Sequence, residues 1–324
     1  MGKFEVEDYE KLKINYENKI QVLSEWLWEN KPKQLEITEW LENFDSIDSE
    51  RERLNSLHQL SYFMSFELRE IREMLKSLFR DHFIKPLIQQ IKKNGITDLS
   101  DINVEVSEQI KKTRFIGLGN ASESSCLMLY FFRQENGLSK EHFISASQIF
   151  ERGDDGKVVS LRKHGTINNK HDILHYVFMD DFSGSGSQAY DYFTDNQCKM
   201  ISDLNSDATV YYFTLFSTIA SSIKLRSFDK NIKLRSIFEL DETYKVFGED
   251  SRYYTKYTDE KIFSEQVCKK YKDRYSHPTY LCGWKDGQLL LRFFYNTPDN
   301  TLPSFWTKTD TWKPIFKRYD KIYN

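Results

Sequence analysis

The sequence predicts an α/β protein: a mainly parallel sheet flanked by helices, with a helical segment before it and an α/β extension after it. Three observations carry this. Short apolar runs bounded by turn residues recur after residue 111, as in Tyr176-Val-Phe-Met179 and Val210-Tyr-Tyr-Phe-Thr-Leu215. Helix-like segments alternate with these runs, the pattern of strands joined by crossover helices. Residues 9–94 instead carry apolar positions three or four apart, the period of amphipathic helices.

At 324 residues the chain can bury a large core, as one big domain or two smaller ones. An aromatic content of 15% favours a packed globule over disorder. The net charge of −3 gives no overall nucleic-acid signature. No apolar run is long enough to span a bilayer, and Met-Gly-Lys-Phe-Glu-Val-Glu-Asp at the start lacks a signal-peptide core. Cys126, Cys198, Cys268 and Cys282 form no metal pattern and read as reduced thiols of a cytoplasmic protein.

The elements follow in order. Tyr9 to Trp28 is a charged amphipathic helix, and Ile37 to Phe44 a short one. Leu57, Leu60, Met64, Leu68, Ile71, Leu75 and Leu78 make one continuous stripe, read as a single long helix that Pro86 breaks or restarts. His58 and His82 are given no chemistry. Residues 1–110 form the expected N-terminal helical segment, 111–250 the α/β core and 251–324 an extension completing the core or its site.

Within the core, Arg114 to Leu118 is a strand and Gly119 to Ser125 a small polar loop. Cys126 to Arg133 is a helix, and His142 to Phe150 the next strand. Glu151 to Asn169 is a polar loop with glycines and cations, a candidate lid. Ser187 to Leu204 is a helix, Ala208 to Phe216 a strand, Ser217 to Lys224 a helix and Lys233 to Leu240 a strand. Tyr253 to Tyr275 is helical and Leu289 to Tyr295 a strand. Asn296 to Trp306 carries two prolines, which rule out a regular helix.

The organising stretch is His175-Tyr-Val-Phe-Met-Asp-Asp-Phe-Ser-Gly-Ser-Gly-Ser-Gln188. A buried strand ends in two carboxylates, Asp180 and Asp181. A loop of small residues then opens a helix. In open α/β sheets ligands bind beyond the C-terminal strand ends, and a helix N-terminus there attracts phosphate. Gly184 and Gly186 let amides turn towards one anion, while Ser183, Ser185 and Ser187 add hydroxyl donors. Two other readings stand beside this one. Gly184 to Ala189 also fits the dinucleotide pattern G-x-G-x-x-A, but the acids separate it from its strand. A solvated surface turn would explain the glycines, though not two acids ending a buried strand. A Walker loop is excluded because no Gly-Lys-Ser/Thr follows.

This stretch resembles the diphosphate-sugar motif of the type I phosphoribosyltransferases. The resemblance implies that family's mainly parallel fold, with phosphoribosyl diphosphate or a nucleotide as substrate. It implies that Asp180 and Asp181 hold the ribose hydroxyls, directly or through Mg2+. Gly184, Ser185, Gly186, Ser187 and Gln188 would cradle the 5′-phosphate. The chain departs from the motif at Gln188, usually Thr, and at Gly184, an Asp acting as base in the oxopurine enzymes. The family's early loop holds pyrophosphate, which here points to Asn120, Ser122, Ser124 and Ser125. An ordinary capped strand-to-helix connection is the other reading of that loop. The family's flexible hood corresponds to Glu151 to Asn169, with Arg152 and Lys163 closing on the leaving group.

With Trp40 to Phe44, Ser124 to Arg133 and the Asn296 to Trp306 tail, the chain resembles a narrower phosphoribosyltransferase-like family of bacterial conflict and anti-phage systems. That resemblance implies an effector role, in some cases beside a retron reverse transcriptase and its RNA–DNA product. Asn296 and Asn300 are the tail's candidates for contacting base or sugar, against a rigid turn capped by Trp306. Enzyme, silent nucleotide or phosphoribosyl diphosphate sensor, and partner-docking effector all remain open, as does homo-oligomerisation.

Overall fold

The structure, a computed structural model, describes residues 8–120, 122–166, 169–229 and 231–319. The first seven residues of the charged start, and residues 167 and 168 of the cationic loop, lie outside the described residues. The chain divides into two compact units, residues 71–240 and residues 1–70 with 241–324. No helix among the described residues is long and apolar enough to cross a membrane.

The unit of residues 71–240 is built on four strands in sequential order, all parallel: β1 (Thr113–Gly117), β2 (His175–Ser183), β3 (Thr209–Thr218) and β4 (Lys233–Leu240). A parallel sheet needs both faces covered, and the side-chain alternation of β2 and β3 supplies two apolar faces. Tyr176, Phe178 and Tyr212 pack with Ala189, Phe193 and Leu225 from the helices Ser187–Asp195 and Ile219–Phe228. On the other face Phe83 meets Phe115, His175, Tyr211 and Phe213 edge-on. Phe132, of the helix Ser124–Glu135, packs on Phe115 beside it.

The α/β class and the parallel sheet are as expected, but several boundaries move. β2 runs through Ser183, so Asp180 and Asp181 lie within the strand and not beyond it. The expected strand from His142 to Phe150 is two short 3-10 turns, with one parallel bridge between Phe143 and Phe115. The helix expected over 187–204 stops at Asp195 and restarts at Met200, because Gln197 takes a left-handed φ of 55°. The stripe from Leu57 to Leu78 is two helices, Ser49–Leu60 and Leu68–Phe79, parted by the strand Met64–Phe66. A single π-turn, Arg80–Ile84, then precedes the helix Lys85–Lys93 with Pro86 in its first turn.

The other unit joins the two ends of the chain. Met64–Phe66 pairs in parallel with Leu291–Phe293. Trp40 stacks on Phe305 and donates its indole N–H to the Ser304 carbonyl. Buried Glu260 accepts from Arg51 and Asn55. The compact units therefore do not follow the three expected segments: residues 71–110 go with the sheet, and the tail goes with the N-terminal helices. His58 is buried there, its Nε2 bonded to the Tyr253 carbonyl, and burial lowers its pKa to about 4.

Phe83 is 2% exposed at the centre of an aromatic cluster. Phe83→Ala is expected to cost about 3–5 kcal/mol in urea denaturation. Val104→Ala, on an exposed helix face, is expected to stay within about 0.5 kcal/mol.

Candidate functional site

The C-terminal edge of the sheet is where β1, β2 and β3 each turn into a helix. At the end of β2, Ser183 shares a 2.6 Å hydrogen bond with Ser221, and Thr218 donates to the Gly184 carbonyl at 2.5 Å. Gly186 is the N-cap of the helix Ser187–Asp195, with φ of 69°. A Cβ at Gly186 would lie 3.0 Å from Ser221 Oγ and 3.1 Å from the Ser221 Cα and carbonyl oxygen. Glycine is required twice here, for the left-handed backbone and for the backbone approach. Ser187 Oγ accepts from Ser185 Oγ at 3.1 Å and from Lys224 Nζ at 2.8 Å. The loop is thus fixed on the helix Ile219–Phe228, with a helix N-terminus and one ammonium group beside it. That combination attracts an anion.

Asp180 lies next to this loop and faces β3. Its Oδ1 accepts from the Asp181 amide at 2.9 Å and its Oδ2 from the Tyr212 hydroxyl at 3.4 Å. Burial pushes the Asp180 carboxyl well above the usual carboxylate range, and the neighbouring Asp181 charge adds to this. Burial likewise raises Tyr212, with the charge of Asp180 second. Asp181 is half-buried and accepts from the Phe182 amide at 2.7 Å. A polar cavity of about 90 Å³ lies nearby, lined by Tyr212, Thr214, Ser217 and Ser221. It has room for waters and not for a nucleobase.

The loop after β1 holds itself. Asn120 Oδ1 accepts from the Ser122 amide at 2.8 Å and hydroxyl at 2.6 Å. Ser125 is buried and returns its hydroxyl to the Leu118 carbonyl. Ser124 opens the helix, half-buried. The N-cap position is Glu123, whose side chain makes no capping bond, so the expected serine cap is not the arrangement found. Glu123 Oε2 instead accepts from Gln188 Nε2 at 2.8 Å, linking this loop to the one that follows β2.

The structure does not bring the lid cations to this edge. Arg152 bonds the Gly156 carbonyl in its own hairpin and Gln197 Oε1 at 3.1 Å. Gln197 follows the far end of the helix whose first residue is Ser187, a nine-residue helix about 13 Å long. Lys163 pairs with Asp172, just before the start of β2. Asn296 and Asn300 belong to the other unit and serve its backbone. Asn296 Oδ1 accepts from the Thr297 and Tyr319 amides, and Asn300 Nδ2 donates to the Trp284 carbonyl. Trp306 donates to the Thr301 carbonyl at 2.9 Å, the contact expected of a rigid capped turn.

Sequence reasoning missed Tyr212, Thr218, Ser221, Lys224 and Glu123. Thr218 had a signal: it caps its helix through the Ser221 amide at 3.1 Å, a threonine closing a strand run. Lys224 and Glu123 carried none, since only folding sets them against the loop. No group of three or more His, Cys, Asp or Glu side chains suited to a metal occurs among the described residues.

An all-parallel sheet with paired acids and a glycine-serine loop at its C-terminal edge is a type I phosphoribosyltransferase-like arrangement. The sequence model of the PRTase-CE family matches residues 37–318, and the chain belongs to this phosphoribosyltransferase-like family. Among solved structures, it is similar to the orotate phosphoribosyltransferase of Aeropyrum pernix. Identity is 13% and the TM-score 0.23, over 41% of this chain and 62% of that one. It is also similar to a protein of Aquifex aeolicus, at 9% identity and TM-score 0.28, over 65% of this chain and 86% of that one. No curated protein matches the chain.

A carboxyl with a raised folded-state pKa takes up a proton on folding. Its neutral form carries the stability at low pH, and stability falls as pH rises from the unfolded value, about 4, through the folded one. Asp180→Asn removes that loss. The melting temperature of Asp180→Asn relative to the unsubstituted protein, both ligand-free, is expected to rise between pH 5 and pH 8. A difference independent of pH would contradict the burial of this charge.

Proposed function

We propose that the sheet edge binds the ribose 5′-phosphate end of phosphoribosyl diphosphate or a nucleotide, and that the protein cleaves or transfers at the anomeric carbon. The observation that supports this reading is the seat of Gly186 on Ser221, with a helix N-terminus, Ser183, Ser185, Ser187 and Lys224 held together in one loop. The loop would hold the phosphate, while Asp180 and Asp181 meet the ribose hydroxyls. Holding both ends of the sugar orients C1′ and restricts it for attack. Positive charge developing on the sugar in the transition state would be favoured by Asp181.

Mg2+ fits this site only as a companion of the substrate. Both oxygens of Asp180 already accept hydrogen bonds, and two carboxyls do not complete six oxygen positions. Asp181 and Asp180 would hold the ion together with waters and substrate oxygens, where it would neutralise phosphate and hydroxyl charge.

The resemblance to conflict-system proteins extends the proposal: a cytoplasmic effector of anti-phage defence, retron-like, with a reverse transcriptase and its RNA–DNA product as partner. A second reading is a silent sensor of the same ligands. It is favoured by Gly184, which leaves the phosphate loop without an acid.

Thermal shift with phosphoribosyl diphosphate and Mg2+ tests the binding reading. The unsubstituted protein is expected to gain several degrees at saturating ligand, and Asp181→Asn to lose most of that gain. No stabilisation by phosphoribosyl diphosphate or by any nucleoside monophosphate would count against the proposal. Ligand recovered unchanged after long incubation would favour the sensor.

A further inference from the structure

We propose that Glu123 is the general base of this site and that the substrate is a nucleoside 5′-monophosphate cleaved by water. The inference rests on the reading that loop 183–188 seats a ribose 5′-phosphate.

That loop contains no titratable side chain of its own. Attack at C1′ by water needs a group to take the water's proton. Asp180 is poorly suited, since it is buried and both its oxygens are engaged. Glu123 comes from the loop after β1 and is half-buried at the rim, where water reaches. A hydrogen bond ties its carboxylate to the loop of residues 183–188. Gln188 Nε2, in the first turn of the phosphate-loop helix, donates to Oε2 at 2.8 Å. Beneath it lies Gly119, with φ of 91°, where a Cβ would sit 2.0 Å from the same oxygen. A side chain at position 119 would push the carboxylate out of this position. Gln188 therefore ties a base to the loop that holds the substrate's phosphate, which is the geometry a positioned proton acceptor requires. Glu123 also contributes to the field that raises the Asp180 carboxyl, so the two groups share one electrostatic environment.

The same carboxylate selects the leaving group. A departing pyrophosphate would bring several negative charges to the loop that presents Glu123. The cations expected to receive it, Arg152 and Lys163, are engaged at Gln197 and Asp172. A nucleobase brings no such repulsion. The water oxygen forms the bond to C1′, and its proton passes to Glu123. The C1′–N bond breaks with its electron pair staying on the base nitrogen, which takes a proton from solvent. Glu123 returns its proton to solvent. The products are ribose 5-phosphate and the free base. Gln188 is a positioning residue in this scheme.

The test incubates the full chain with AMP, GMP, CMP and UMP, and separately with phosphoribosyl diphosphate, each with Mg2+, and follows products by mass spectrometry. Ribose 5-phosphate and free base are expected from at least one monophosphate. Glu123→Gln is expected to lower kcat about 100-fold or more while KM stays within about threefold. Added formate is expected to restore part of the turnover of Glu123→Ala, which a merely structural role would not allow. Unchanged melting temperature and ribose 5-phosphate binding in Glu123→Gln show that the variant is folded. Turnover of phosphoribosyl diphosphate alone, turnover indifferent to Glu123→Gln, or no turnover of any monophosphate would overturn the inference. Failure of the unsubstituted protein to bind ribose 5-phosphate would instead sink the underlying reading of the loop.

Discussion

The site depends on one backbone contact. Gly186 sits in the left-handed region directly against Ser221, with no space for a side chain between them. This contact sets the helix Ser187–Asp195 beside the helix Ile219–Phe228, and the hydroxyls of Ser183, Thr218 and Ser187 then lock the loop between them. The loop, proposed as the seat of an anion, is held by hydrogen bonds of its own. A loop so held would spend little ordering entropy on binding.

Asp180 is buried by its place in the sheet. Carrying β2 two residues past the acids, to Ser183, places Asp180 inside the strand, where it meets the Asp181 amide and the Tyr212 hydroxyl. Burial there pushes the Asp180 carboxyl well above the usual carboxylate range. Two adjacent acids in unequal environments are suited to different tasks, one to fixing a hydroxyl by hydrogen bond and the other to meeting cationic charge.

Much of the fold was legible because its signals are local. Tyr176 to Met179 and Val210 to Leu215 are apolar runs that only a strand buried on both faces requires. Gly184 to Gln188 carry, in residue types alone, the pattern on which the proposed phosphate seat rests. What was not legible depends on distant partners. The stripe from Leu57 to Leu78 keeps helical spacing, yet Met64–Phe66 is a strand because Leu291–Phe293 pairs with it across more than two hundred residues. Arg152 was placed over the site by its position in the chain, but Gln197 holds it beyond the opposite end of a helix. Asn296 and Asn300 carry amides that suit a base as well as a turn, and only the fold shows them spent on backbone groups. Glu123 carries no signal in the sequence, because only the fold sets Gln188 against it.

The seat of the phosphate is tested most directly by titrating ribose 5-phosphate into 15N-labelled protein and following the backbone amides. The account predicts that the amides of Ser185, Gly186, Ser187 and Gln188 move first and furthest, and that ribose without phosphate leaves them in place. Shifts centred elsewhere, or equal responses to ribose and its phosphate, would contradict it.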